Sequence, residues 1–479
     1  MVNDDYCLLI GKNLASFLQH IRDTERPSET MWIDAICINQ ADIRERNIHV
    51  VKMGDIYRKA DKVIVWLGPQ YDDSDLALQL LKTMEALGDH KNLENQRRDW
   101  ACEHLPHGKD LLHACNPGRT LLWMRSNREK GNRDLVQLLY HLRPSQSSDP
   151  KDKVYGVLGL ASDGRAMVPQ ARYELDVVQI YAKLYQTMSE VRGNLDWLTL
   201  ATGVANPQLP SWCADLTKQS RYVSMNTCRS VLGKVQFGFR ATGESKPEIS
   251  IDPDSLRCVV KGYIFDEIDG MGGCQDFRDP TDELLQPSTN VSAYSPNAAV
   301  LEAIWMTLVA DQDFEGTAHA WRAPSKFGTF YVKEAQMILS DLNTNELALK
   351  DPSAFQIWVQ RNAALIIGGQ TVAERTIAAS ISEPVDTSAL AGFHRRLQST
   401  VKNRRFIITT KGYVGIANDD VRSGDKVCLL SGGRMPVILR PEGKDFVFLG
   451  EAYVHGMMQG ELWPCADLPG VEAREFSVL

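Results

Sequence analysis

The chain has 479 residues, 43% hydrophobic and 24% charged, an ordinary globular composition with room for roughly two to four domains and sizeable cores. Acidic side chains outnumber basic ones, 61 to 53, for a formal net charge of -8, which argues against a whole-chain binder of nucleic-acid phosphates. No apolar run approaches the roughly 18 residues that span a bilayer, and Met1-Val-Asn-Asp-Asp-Tyr-Cys has no basic region ahead of an apolar core, so a cytoplasmic protein without a signal peptide is expected.

In chain order, Leu14, Phe17, Leu18 and Ile21 recur at helical spacing. Met31-Trp-Ile-Asp-Ala-Ile-Cys-Ile is a nearly continuous apolar run, as in a strand buried on both faces. Asp42 with Glu45 three residues on predicts a capping box, with Asp in place of Ser or Thr. The helix that follows carries an apolar stripe of Val50, Met53, Ile56, Tyr57 and Ala60. Lys62-Val-Ile-Val-Trp-Leu-Gly predicts a second buried strand, stopped by Gly68-Pro69, and Asp75 to Leu87 a further helix. This alternation predicts a parallel α/β layer.

Residues 88–133 are polar and poorly patterned, as in a long loop. Helices are predicted over Asp134–Leu142, Leu175–Val191, Asn297–Asp311 and Ala354–Ile367, and a β-prone run at Cys258–Phe265. From Arg405 the pattern changes to short strands: Phe406–Thr410, Tyr413–Ile416, Lys426–Leu430, Pro436–Arg440 and Phe446–Gly450. Gly, Asp or Pro separates each from the next, so a small antiparallel β-unit is expected. The expected division is 1–160, 161–400 and 401–479.

The ten cysteines form no Cys-x-x-Cys pair, and scattered thiols in such a chain are expected to be buried small hydrophobes. Cys102, His104, His107, His113 and Cys115 are metal-ligand types, but their spacing matches no standard zinc finger, so no metal site is assigned. No Walker loop, nucleophile elbow or Rossmann fingerprint is present.

Trp32-Ile-Asp-Ala-Ile-Cys-Ile-Asn-Gln, then Asp42, Glu45-Arg46, Met53, Ile56-Tyr57, Ala60 and Val65-Trp-Leu-Gly, closely resembles the heterokaryon incompatibility (HET) domain of filamentous fungi. Asp149-Pro-Lys-Asp-Lys-Val-Tyr-Gly-Val-Leu-Gly-Leu-Ala resembles the family's next motif block. Leu209-Pro-Ser-Trp-Cys-Ala-Asp, Thr410-Lys-Gly-Tyr-Val-Gly-Ile and Tyr453-Val-His-Gly-Met-Met-Gln-Gly-Glu resemble later segments of such proteins.

The resemblance implies an N-terminal TIR-like parallel sheet flanked by helices, followed by a mixed α+β region ending in the antiparallel β-unit. It implies a role in fungal non-self recognition and regulated cell death, acting through self-association or a protein partner. The competing expectations are an enzyme and an inactive, shortened paralogue. The enzyme would be a TIR-like NAD glycohydrolase, with NAD as substrate, or a scaffold repurposed for small-molecule chemistry. The resemblance begins after the point where the family's opening Ser-Tyr-x-Trp-Gly strand motif is expected, so an N-terminally shortened domain is expected. Its Arg-x-Trp-x-x-Gln-Glu motif has a counterpart in Arg98-Asp-Trp-Ala-Cys-Glu, which lacks the Gln and brings Glu103 one residue closer to Trp100.

Six residues are candidates for chemistry. Asp34 sits inside an apolar run, where a carboxylate is costly unless hydrogen-bonded; it either faces a ligand at the sheet's C-terminal edge or accepts from the amides of the Asn39-Gln40 turn. Asn39, Gln40 and Asp42 would line a loop before a helix N-terminus, where free N–H groups can hold an anion, or would serve as turn and cap. Glu45 reads as a capping residue or a general acid/base. Glu103 is the carboxylate that could stabilise an oxocarbenium-like ribose as nicotinamide leaves, or an exposed loop residue.

Overall fold

A computed structural model describes residues 8–23, 30–66, 68–69, 79, 134–201, 206–218, 224–225, 229–231, 234–236, 238–274, 283–313, 322–344, 352–380, 390–464 and 471–479. The chain separates into two compact units, Met1–Asp176 and Val177–Leu479. The expected helix at 75–87, apart from Gln79, the loop at 88–133 and Glu103 lie outside the described residues.

The first unit is helical where it is described. Helix α1 (Lys12–Asp23) buries Phe17 and half-buries Leu14, Leu18 and Ile21, the face its spacing predicts. The expected strand at 31–38 does not form. Instead Ile36 and Cys37 both donate backbone N–H bonds to the Ile33 carbonyl, which closes one helical turn, α2 (Asp34–Cys37). The Asp34 Oδ1 accepts from the Ala35 N–H at 2.7 Å and holds that turn. An apolar run sets a demand for burial but supplies no pairing partner, and here the local side-chain bond decides the backbone.

Helix α3 (Ile43–Lys59) follows, with Asp42 as its N-cap. Beyond it, residues 62–66 run on without turn or bend and, among the described residues, without a strand partner. No strand occurs among the described residues before Arg229, so the parallel sheet expected over 31–68 is absent there. The unit continues through α4 (Leu135–Leu142), capped by Asp134, and the single turns α5 (Asp152–Tyr155) and α6 (Gly164–Met167).

The second unit opens with α7 (Val177–Arg192). Two short strands, β1 (Arg229–Val231) and β2 (Lys234–Gln236), form a hairpin, and β3 (Ile249–Asp252) leads into β4 (Arg257–Met271). At 15 residues, β4 is long enough to pair with different strands along its two halves. After it come α8 (Asn297–Leu308), α9 (Lys326–Thr344), α10 (Ala354–Asn362), the two-residue strands β5 (Ile366–Ile367) and β6 (Gln370–Thr371), α11 (Val372–Ala378) and α12 (Leu390–Val401). The last strands are β7 (Arg404–Thr409), β8 (Val414–Asn418), β9 (Lys426–Leu430), β10 (Val437–Glu442), β11 (Asp445–Glu451), β12 (Tyr453–Val454) and β13 (Ala473–Val478). All five strands expected after Arg405 form.

The sheet closes on itself around β4. β13 pairs antiparallel with β4 from Ala473↔Tyr263 to Val478↔Cys258, and β9 pairs with it from Gly262↔Leu430 to Glu267↔Lys426. β11 and β10 complete the circuit β4–β13–β11–β10–β9–β4. Bulges at Ile264/Asp266 and Ile268/Gly270 bend β4 so that its C-terminal half takes up β7, with β8 and β12 beyond. Gly262 is required for the closure: a Cβ there would sit 2.4 Å from the Leu429 carbonyl oxygen. The resulting sheet is mixed, with β11–β13 parallel.

β7 is buried on both faces. Phe406 and Ile408 pack with the helices in a core that contains Phe327, Phe355, Trp358 and Phe393; Ile407 packs on the other side with Phe265, Val427 and Ile438. Capping boxes at Ser353/Gln356 and Thr371/Glu374 fix the starts of α10 and α11. The Arg404 guanidinium lies 3.3 Å from Glu451 Oε1, with their side chains 0% and 4% exposed, and Ser224 Oγ donates to Glu451 Oε2 at 2.7 Å. Burial pushes the Glu451 carboxyl up, and Arg404 opposes that shift. No described helix is long and apolar enough to cross a membrane.

Removing one partner of a buried pair strands the other. Arg404→Met is expected to destabilise the second unit by about 3–5 kcal/mol in urea unfolding, with Glu451→Gln on that background restoring part of the loss.

Candidate functional site

The loop 38–45 uses its polar side chains on itself. Asn39 Oδ1 accepts from the Ala41 N–H at 3.1 Å, and Gln40 Nε2 donates to the Asp34 carbonyl at 3.0 Å. Asp42 Oδ1 accepts from the N–H groups of Arg44 and Glu45 at 2.8 and 3.2 Å. The capping box is half as predicted: Glu45 Oε1 reaches past Asp42 to accept from the Asn39 N–H at 3.1 Å. Asn39, Gln40, Asp42 and Glu45 are therefore brought together, in a network that sets the entry to α3.

Asp34 stands apart from them in two respects. It is exposed at the first turn of α2, where the sequence suggests burial in a strand. It also lines a cleft of about 1010 Å³, which none of the other four lines. The aromatic walls of that cleft are Phe17 of α1, Trp32 before α2, Tyr57 of α3 and Trp66. Trp32 and Tyr57 meet edge to face with ring centroids 5.9 Å apart, and Phe17 and Trp66 lie at 5.7 Å. Burial first, and the Asp34 carboxylate second, raise the Tyr57 phenol above its usual range. The amphipathic stripe marks Phe17 and Tyr57 as apolar contacts, but their convergence with Trp32 and Trp66 depends on how the elements pack.

The motif blocks at 31–68 and 149–160 meet along the other side of α3. Arg46 lies 3.5 Å from Asp149 and places its guanidinium 4.0 Å from the Tyr173 ring centroid. Asn47 clamps the same strip: its Oδ1 accepts from the Tyr173 N–H at 2.9 Å and its Nδ2 donates to Glu174 at 3.1 Å. The Tyr173 hydroxyl donates to Asp152, whose carboxyl is raised by burial. A side-chain bond from Arg172 is the main cause holding the Glu174 carboxyl down at about 2.

Gly54 and Gly159 touch backbone to backbone, since a Cβ on either would lie 3.0 Å from the other's Cα. Beside them is a smaller cleft of about 230 Å³, where Asp55 binds Arg58 at 2.6 Å and Arg165 at 2.7 Å. In the second unit, the cavity between Asp196, Arg434 and Glu451 holds about 30 Å³, space for one water. Among the described residues no three His, Cys, Asp or Glu side chains gather as metal ligands. The Cys/His-rich stretch at 102–115 and Glu103 lie outside them.

The family described as Heterokaryon incompatibility protein (HET) matches residues 3–143, and the Het-6 beta-barrel domain matches residues 286–469. Heterokaryon incompatibility protein 6, OR allele, of Neurospora crassa is 22% identical over 612 aligned positions, which cover 96% of this chain and 86% of that protein. No solved structure shows a significant match.

The Gly54–Gly159 contact gives a direct test of how the two blocks pack. Gly54→Leu installs a better helix former, yet overpacking is expected to lower stability by about 1–3 kcal/mol in denaturant unfolding. Lys52→Ala, on the exposed side of the same helix, stays within about 0.5 kcal/mol.

Proposed function

We propose that this chain, a HET-domain protein with a Het-6 β-barrel domain, acts in fungal non-self recognition by associating with a second copy of itself through residues 62–66. One observation carries the reading. Lys62-Val-Ile-Val-Trp is an unbent run whose backbone N–H and C=O groups have no hydrogen-bond partner among the described residues. Val63, Ile64 and Val65 are open to solvent, Val65 being 74% exposed. Leu9, Ile43, Ile48 and Tyr57 are exposed in the same unit. An unpaired, apolar, β-prone segment is a template for a further strand, and an exposed apolar surface marks an association site.

Two copies related by a two-fold axis would pair this segment with itself, antiparallel and centred on Ile64, with Val63 opposite Val65. Each copy would then supply the strand neighbour that the other lacks. In this reading the TIR-like sheet implied by the sequence completes itself on assembly, and assembly in the cytoplasm is the step that leads to cell death.

Sedimentation velocity over a concentration series checks this. The expected result is a reversible monomer–dimer equilibrium, with Val65→Lys weakening it by about tenfold or more while the monomer stays folded. In a fungal host, overexpression is expected to arrest growth and Val65→Lys to relieve the arrest. A chain that stays monomeric at every concentration would contradict the proposal.

A further inference from the structure

We infer that Ser162 is a phosphorylation site, and that the small cleft beside the Gly54–Gly159 contact holds its phosphate between Arg58 and Arg165. A serine kinase would supply the group from ATP. The Ser162 hydroxyl oxygen bonds to the γ-phosphorus, the bond to the β-phosphate oxygen breaks, ADP leaves and the hydroxyl proton passes to the kinase.

The charged side chains that line this cleft are Asp55, Arg58 and Arg165, which leaves it one positive charge in excess. Asp55 lies between the two arginines. Its Oδ1 accepts from Arg58 at 2.6 Å and its Oδ2 from Arg165 at 2.7 Å. Arg165 first and Arg58 second hold the Asp55 carboxyl below its usual range. A guanidinium carries five N–H donors, and among the described residues each of these two gives its hydrogen bond to Asp55 alone. Their side chains are 62% and 71% exposed, so the other donors are within reach of an incoming anion. A phosphate dianion, with three strong acceptor oxygens, matches that surplus of charge and donors.

Ser162 lines the same cleft and is exposed, in the bend before α6. The adjacent Asp163 does not line it; its Oδ1 accepts instead from the Leu135 N–H at 2.8 Å. The volume of about 230 Å³ has room for several waters, which the phosphoryl group would displace. Arg58 belongs to α3 and Arg165 to α6, so a phosphate bound by both adds a second tie between them beside the one Asp55 makes. Asp55 repels the phosphate, so both arginines are needed to hold it. No residue of 62–66 lines this cleft, so phosphorylation and the proposed self-association are separable.

Two measurements on the full chain test this. Trypsin releases residues 154–165 as one peptide, in which Tyr155 is the only other hydroxyl-bearing residue. Protein expressed in a fungal host is expected to yield this peptide with phosphate on Ser162, lost on phosphatase treatment. The peptide recovered only in unmodified form would overturn the site. Phosphorus NMR of the chain with phosphoserine genetically encoded at position 162 then reads the pocket. The second ionisation of the phosphate is expected about one pH unit below that of free phosphoserine, because the guanidiniums favour the dianion. Arg58→Ala/Arg165→Ala should return it to the free value or above. Asp55→Asn, which removes the competing carboxylate, should lower it further. A midpoint that stays at the free value in all three proteins would overturn the pocket.

Discussion

Every backbone N–H and C=O that leaves water needs a partner, and the two units of this chain meet that demand in different ways. In the second unit β4 is long enough for β3, β9, β13 and β7 to pair along it, and the circuit through β11 and β10 closes the sheet. Closure leaves no open edge along that circuit, with β7, β8 and β12 branching from it. The two bulges in β4 and the missing Cβ at Gly262 are what permit it. In the first unit the segment 62–66 has strand-like composition but no backbone partner among the described residues. The proposed association follows from that difference.

The polar residues of the first motif block divide into two jobs. Asn39, Gln40, Asp42 and Glu45 bond one another's backbone and set the start of α3. That start matters because α3 then presents Arg46, Asn47 and Gly54 to the 149–174 strip on one side, and Tyr57 and Lys59 to the cleft on the other. Among the described candidates, Asp34 is the one that lines the cleft.

How much of this was legible in the sequence depended on how local each feature is. The Asp42 and Asp134 caps follow from short-range bonds, and the helices starting near 135, 177, 297 and 354 follow from periodicity. The strands after Arg404 were legible because Gly, Asp and Pro punctuate them. What was not legible was pairing at long range. Nothing near Ala473–Val478 says that it lies beside residues 258–263, and nothing in Lys426–Leu430 says that it returns to β4. The run at 31–38 differs for the same reason: no strand lies beside it among the described residues, Asp34 bonds the adjacent amide and the chain turns into α2. The cleft was hidden because its walls come from four separate elements.

The central claim is that the backbone at 62–66 is unpaired in the single chain and becomes paired in the assembly. Amide hydrogen exchange across this segment, followed over a protein concentration series, tests it most directly. The account predicts rapid exchange at 62–66 in dilute protein and strong protection at high concentration, with exchange in β4 and β9 unchanged throughout. Protection already complete in the dilute monomer, or exchange that stays rapid while the protein associates, would contradict it.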